Sequence, residues 1–140
     1  MKILLFPLLL AAAIATTPPK PVPAKSTHWT GTFSNGMKGA KISFDVSADG
    51  KTLSELTFQG YWRCGGKLEL TTVGPTHSFP VVGGKVSGVV VEPPGGGATA
   101  WRFELDGLVG AKSAQGTFRM NINALSCDTY KLQWTATPAK

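Results

Sequence analysis

The sequence predicts an all-β fold: an antiparallel β-sandwich of eight or nine short strands, with a small closed β-barrel as the alternative. Three observations predict it. From His28 onward apolar residues recur with a period of two, as in strands with one buried face;. Turn-forming residues recur at short intervals along the same stretch, in a chain with 17 Gly and 10 Pro;. No segment after His28 repeats apolar residues at helical spacing. Strands of this kind bury their apolar faces against a second sheet or by closing one sheet on itself. The short strands and uneven loops favour the sandwich.

The elements follow in order. Trp29, Gly31 and Phe33 share one face of a first strand. Ile42, Phe44 and Val46 share one face of a second, with Lys41, Ser43 and Asp45 opposite. Ser47–Lys51 (SADGK) is a hairpin turn, because Asp-Gly tolerates positive φ;. In a third strand Leu56, Phe58, Gly60, Trp62 and Cys64 point inward, and Thr57, Gln59, Tyr61 and Arg63 outward. Lys67–Val73 is a fourth, with Leu68 and Leu70 expected inward. His77–Val82 is expected to be a short edge piece, since Pro80 cannot donate to a ladder;. Gly83-Gly84 turns the chain into the strand Lys85–Glu92, and PPGGG (93–97) is a loop. Trp101, Phe103 and Leu105 alternate with Arg102, Glu104 and Asp106. Phe118, Met120 and Ile122 are in phase, and so are Tyr130, Leu132, Trp134 and Ala136 in the last strand. Gly-Thr-Phe occurs twice, at 31–33 and 116–118. It is either the trace of a duplicated two-strand unit or common vocabulary of antiparallel sheets.

The N-terminus differs. Lys2 precedes an unbroken apolar run at 3–14, shorter than the ~20 residues a membrane-spanning helix needs;. Ala13-Ile14-Ala15 then supplies a small-x-small cleavage pattern. Residues 1–15 are therefore expected to be a secretory signal peptide, with an uncleaved anchor as the alternative;. Residues 16–27 carry four prolines and are expected to form an extended linker;. A single domain at 28–137 and a tail at 138–140 complete the division. No later apolar run reaches ~18 residues, so membrane insertion of the mature chain is not expected;. Secretion or a periplasmic location is.

Cys64 and Cys127 are the only cysteines. In an oxidising compartment a pair in a small domain is expected to form a disulfide. A zinc site needs about four ligands. Cys64, Cys127, His28 and His77 would supply that number, but no two are closely spaced. No metal or other cofactor is expected.

The net charge is +6, with basic residues scattered, as at Lys41, Arg63, Arg102, Arg119 and Lys131. Nucleic-acid binding proteins concentrate such residues on one patch, so no nucleic-acid partner is expected. The chain lacks a G-x-S-x-G elbow, an H-E-x-x-H pair, a Ser-x-x-Lys and a P-loop;. Glu104 and Asp106 stand on one strand face about 7 Å apart, a separation a glycosidase could use;. Arg102 beside them instead points to surface charge pairing. A non-catalytic role follows, with an unknown polysaccharide or envelope protein as the partner. The candidate ligand-binding residues are Gln59, Tyr61 and Arg63, a polar-aromatic stripe on the outward face of the third strand. An exposed sheet edge, or the loops at 74–80 and 93–97, would serve a protein partner instead.

The pattern G-T-F-S-x-G, I-S-F-x-V and D-G-K, an aromatic strand ending R-C, a later G-T-F-x-M and a closing C-D-x5-W-x-A resembles a family of small exported bacterial domains of unknown function. The resemblance covers residues 28–136. It implies β-sandwich modules, a paired Cys64 and Cys127 and an extracytoplasmic setting, and no catalytic residues. Tyr61-Trp62 and the PPGGG loop depart from the pattern.

Overall fold

A computed structural model describes residues 17–19 and 24–140. The expected signal peptide at 1–15, and residues 16 and 20–23 of the expected linker, lie outside the described residues. The strands are β1 (Thr27–Phe33), β2 (Lys41–Val46), β3 (Thr52–Cys64), β4 (Lys67–Val73), β5 (Phe79–Val82), β6 (Lys85–Glu92), β7 (Trp101–Val109), β8 (Ala114–Ile122), β9 (Cys127–Asp128) and β10 (Leu132–Pro138). Among the described residues the one helical piece is a 3-10 turn at Asn123–Leu125.

All pairings are antiparallel, and they close. β10 pairs with β1 on one side and with β8 on the other, so β1, β2, β3, β5, β6, β7, β8 and β10 form an eight-stranded barrel. The sandwich expectation is corrected to its barrel alternative. The period-two signal is the same for both architectures; the difference lies in β10 finding partners at both edges, which leaves no open edge at the seam.

Both Gly-Thr-Phe runs flank that seam. Gly31 lies opposite Ala136, and Gly116 lies opposite Trp134. A Cβ on Gly31 would stand 2.1 Å from the Thr135 carbonyl oxygen, and one on Gly116 1.9 Å from that of Asp106. Only glycine lets the strands approach so closely. The phenylalanines of the two runs then meet inside, Phe33 and Phe118 with ring centroids 6.0 Å apart. Phe58 stacks on Phe118 at 5.8 Å, and Phe44 meets Trp134 edge-on at 5.6 Å. Side chains fill the interior, as in other small barrels.

β4 and β5 run almost in continuity along β3: Phe58 pairs with Val73 and Leu53 with Phe79, a shift of a single residue. Pro80 lies opposite Thr52, and β5 has β3 and β6 as neighbours, so it is a wall strand and not an edge piece. Glu55 takes a left-handed φ of 51° and is skipped in the β2–β3 register. This bulge is why Leu53 and Leu56, three apart, are both buried;. The turns Gly65-Gly66 and Gly83-Gly84 have φ of 59°, 78°, 58° and 77°, as two-residue hairpins of the I′ type require;.

The disulfide joins Cys64 to Cys127. It connects the end of β3 to β9, a two-residue strand wedged between β3 and β8. Beside it Trp62 stacks on Trp101 at 5.4 Å, and Trp101 on Phe103 at 5.9 Å. The ladder overruns the expected 28–137 by a residue at each end: β1 starts at Thr27, β10 ends at Pro138, and Ala139 N–H donates to the His28 carbonyl at 2.8 Å.

Two inward assignments fail. Leu68 and Leu70 are 52% and 65% exposed. They sit opposite Arg63 and Tyr61 and so share the outer face of the β3–β4 hairpin. Tyr130 lies outside β10 and is 65% exposed. Its φ of 56° turns it out of the alternation that Leu132, Trp134 and Ala136 keep.

Candidate ligand-binding groove

Because neighbouring strands are antiparallel, the loops alternate between the two barrel ends. The β1–β2 loop, the Gly65-Gly66 turn, the β6–β7 loop and the segment around β9 share one end. There β3 runs past the start of β2, whose Lys41 pairs with Gln59. Beyond that point β3 meets β9, through Arg63 and Asp128. A groove of ≈ 250 Å³ opens where the neighbours change. Its walls are Tyr61, Trp62 and Arg63 from β3, Asn35, Met37 and Ala40 from the β1–β2 loop, and Asp128 to Leu132.

Hydrogen bonds hold the rim. Asn35 Nδ2 donates to the Lys131 carbonyl at 3.1 Å, and Asn35 Oδ1 accepts from Gln133 N–H at 2.7 Å, so the β1–β2 loop is tied to the entry of β10. Asp128 Oδ1 accepts from Tyr130 N–H at 2.7 Å, a local turn that supports the left-handed backbone there;. Left-handed backbone costs a residue with a side chain about 1–2 kcal/mol. Thr129 is tied to β8 through both backbone and hydroxyl: its N–H donates to the Met120 carbonyl and its Oγ1 accepts from Met120 N–H, each at 2.9 Å.

Arg119 Nε donates to Asp128 Oδ1 at 3.1 Å, and Nη2 to Oδ2 at 2.6 Å. The hydrogen bond to Asp128 raises the Arg119 pKa above its usual value, against the smaller opposing effect of burial. The only carboxylate lining the groove among the described residues is thereby occupied. Arg63 and Lys131 form no ion pair among the described residues.

Of the three residues singled out in the sequence, Tyr61 and Arg63 line this groove. Gln59 stands on the same outer face of β3, between Lys41 and Thr72, but not in the groove wall. Tyr130 and Lys131 were missed. Their period-two phase suggested a strand, and the available signal was the Asp-Thr-Tyr turn directly after Cys127. Trp62 contributes to the wall, but its indole N–H is buried and unpaired, as are those of Trp29 and Trp134.

The histidines sit elsewhere. His28 Nδ1 pairs with Asp45 on the outside of β1 and β2. His77 Nδ1 lies 3.0 Å from Glu92 Oε1 and 3.3 Å from Thr76 Oγ1. A hydroxyl-imidazole-carboxylate relay places hydroxyl and carboxylate on opposite ring nitrogens. Here both are on Nδ1, which is not that geometry. Glu92 also accepts from Thr76 N–H at 2.6 Å, so the cluster anchors the β4–β5 connection to β6. Arg102 Nε donates to Glu104 at 2.8 Å and Ser87 Oγ donates to Asp106, the surface pairing expected of that strand face. Among the described residues no three side chains of His, Cys, Asp or Glu converge as metal ligands. No helix among them is long and apolar enough to cross a membrane.

Compared with protein-family models, curated proteins and solved structures, the chain matches none.

Proposed function

We propose that this chain is an exported, non-catalytic module that binds a saccharide of the cell envelope or of an external polysaccharide. One observation carries the reading: Tyr61 and Tyr130, 46% and 65% exposed, stand on one groove whose rim is fixed by hydrogen bonds. A tyrosine ring offers a flat apolar face with a polar tip. The C–H face of a pyranose is its natural partner, and Asn35, Arg63 and Lys131 supply polar groups around it;. The groove is smaller than a typical drug-sized site of about 300 Å³ or more, which suits one sugar ring;. Export is supported by the apolar N-terminal run and by the disulfide, which persists in oxidising compartments;.

The test is sedimentation of the mature domain with insoluble polysaccharides and isolated envelope, at low and high salt. Tyr61→Ala and Tyr130→Ala are each expected to lower the bound fraction at least tenfold without unfolding the domain. Equal sedimentation of wild type and both variants overturns the reading.

A protein-binding role is the second reading, favoured by β4. Among the described residues this strand pairs with β3 alone, and it presents Leu68 and Leu70 beside Tyr61. An unpaired edge next to exposed leucines suits strand addition by a partner. Salt-resistant co-purification of one protein, lost in Leu70→Asp, would select it.

A further inference from the structure

We infer that the sugar held in this groove is acidic, carrying a carboxylate or a phosphate, and that Arg63 and Lys131 select it. The inference rests on the saccharide reading and adds the ligand's charge. Three charged side chains line the groove: Arg63, Lys131 and Asp128. Asp128 is neutralised from outside by Arg119, which takes both of its oxygens. Glu104, across the β7–β8 ladder from Arg119, is itself engaged by Arg102. Two positive charges therefore face the groove without a protein partner among the described residues.

Their placement matters as much as their number. Arg63 lies two residues beyond Tyr61 on the same strand face, about 7 Å along β3;. Lys131 directly follows Tyr130. Each tyrosine thus has a cation within two residues of it in the chain, and all four residues line the groove. A pyranose on either ring would present an exocyclic acid group to guanidinium or ammonium, and the guanidinium fork matches carboxylate and phosphate oxygens alike. The groove wall is largely apolar, with Met37, Ala40 and Leu132, so the ion pair would form against poorly polarisable surface;.

The experiment is a calorimetric and NMR titration of the mature domain at two salt concentrations. The probes are oligogalacturonate, its neutral methyl ester, glucose 6-phosphate and glucuronate. Oligogalacturonate is expected to bind at least tenfold more tightly than its ester. The double variant Arg63→Gln/Lys131→Gln is expected to remove that preference, so that acid and ester bind alike. The variant Lys85→Gln/Lys112→Gln removes equal charge at the opposite barrel end, from the start of β6 and the β7–β8 turn, and is expected to keep the preference. The glucuronate and glucose 6-phosphate arms assign the acid group to carboxylate or phosphate. Equal affinity for acid and ester overturns the charge selection and leaves the saccharide reading standing. Loss of the preference in both double variants equally also overturns it, because the attraction is then to net charge alone. Absence of binding by all four probes, with no shifts at Tyr61 or Tyr130, overturns both.

Discussion

Arg119 grips Asp128 by both carboxylate oxygens, and Asp128 in turn accepts the backbone N–H of Tyr130. One ion pair between β8 and β9 thus holds the carboxylate that fixes the backbone at a groove tyrosine. Arg119→Met is expected to cost about 1 kcal/mol of stability, the upper range for a pair this exposed. It should also leave Asp128 uncompensated in the groove wall. Urea unfolding reads the first effect, and weaker oligogalacturonate binding the second. A stable variant with unchanged acid preference would show that Asp128 does not bear on the ligand.

Gly116 is expected to reject any side chain. Its Cβ would fall 1.9 Å from the Asp106 carbonyl oxygen and 2.6 Å from the Gly107 Cα, both backbone atoms. Gly116→Ala should therefore destabilise by about 3 kcal/mol, at the high end for overpacking. Gly95→Ala, where nothing lies within 4 Å, is expected to stay within about 0.5 kcal/mol of wild type;. Thermal unfolding of the two variants side by side is the measurement. Equal midpoints would contradict the close seam.

The Cys64–Cys127 bridge closes a loop with a sequence separation of 63. Chain entropy assigns such a loop about 4 kcal/mol. The variant Cys64→Ala/Cys127→Ala should lose roughly that amount in urea titration, a large share of the ~5–15 kcal/mol typical of a domain. The purified wild-type protein should weigh about 2 Da less than its reduced form, since each S–S bond replaces two S–H.

Glu92 gives the pH dependence a sign. Burial pushes its pKa up, but the hydrogen bonds from His77 and Thr76 outweigh this and hold it below the usual glutamate value. A carboxylate with a depressed folded pKa stabilises above its unfolded pKa, and that contribution disappears as pH falls through the folded value. The wild-type midpoint should therefore drop as the pH is lowered below the ordinary glutamate range. Glu92→Gln should be less stable at neutral pH and show a shallower decline there. Parallel midpoint-versus-pH curves would rule the anchor out.

Residue order alone specifies the all-β class, most strand positions and the cysteine pair, because strand periodicity and turn glycines are local signals. Trp29, Phe44, Phe58, Trp62, Phe103 and Trp134 are buried where alternation places them. Tyr61 and Arg63 were legible as an outward stripe for the same reason. Tertiary structure decided the rest. Whether β10 meets a second neighbour is a matter of long-range pairing, and it separates a barrel from a sandwich. Leu68 and Leu70 keep their alternation but find no layer above them, since nothing in a local pattern says that β4 has only one neighbour. Tyr130 and Lys131 reach Tyr61 and Arg63 only because β9 docks beside β3, pinned by the disulfide and by Asp128. A groove assembled from segments so far apart in sequence exists only once the barrel has closed.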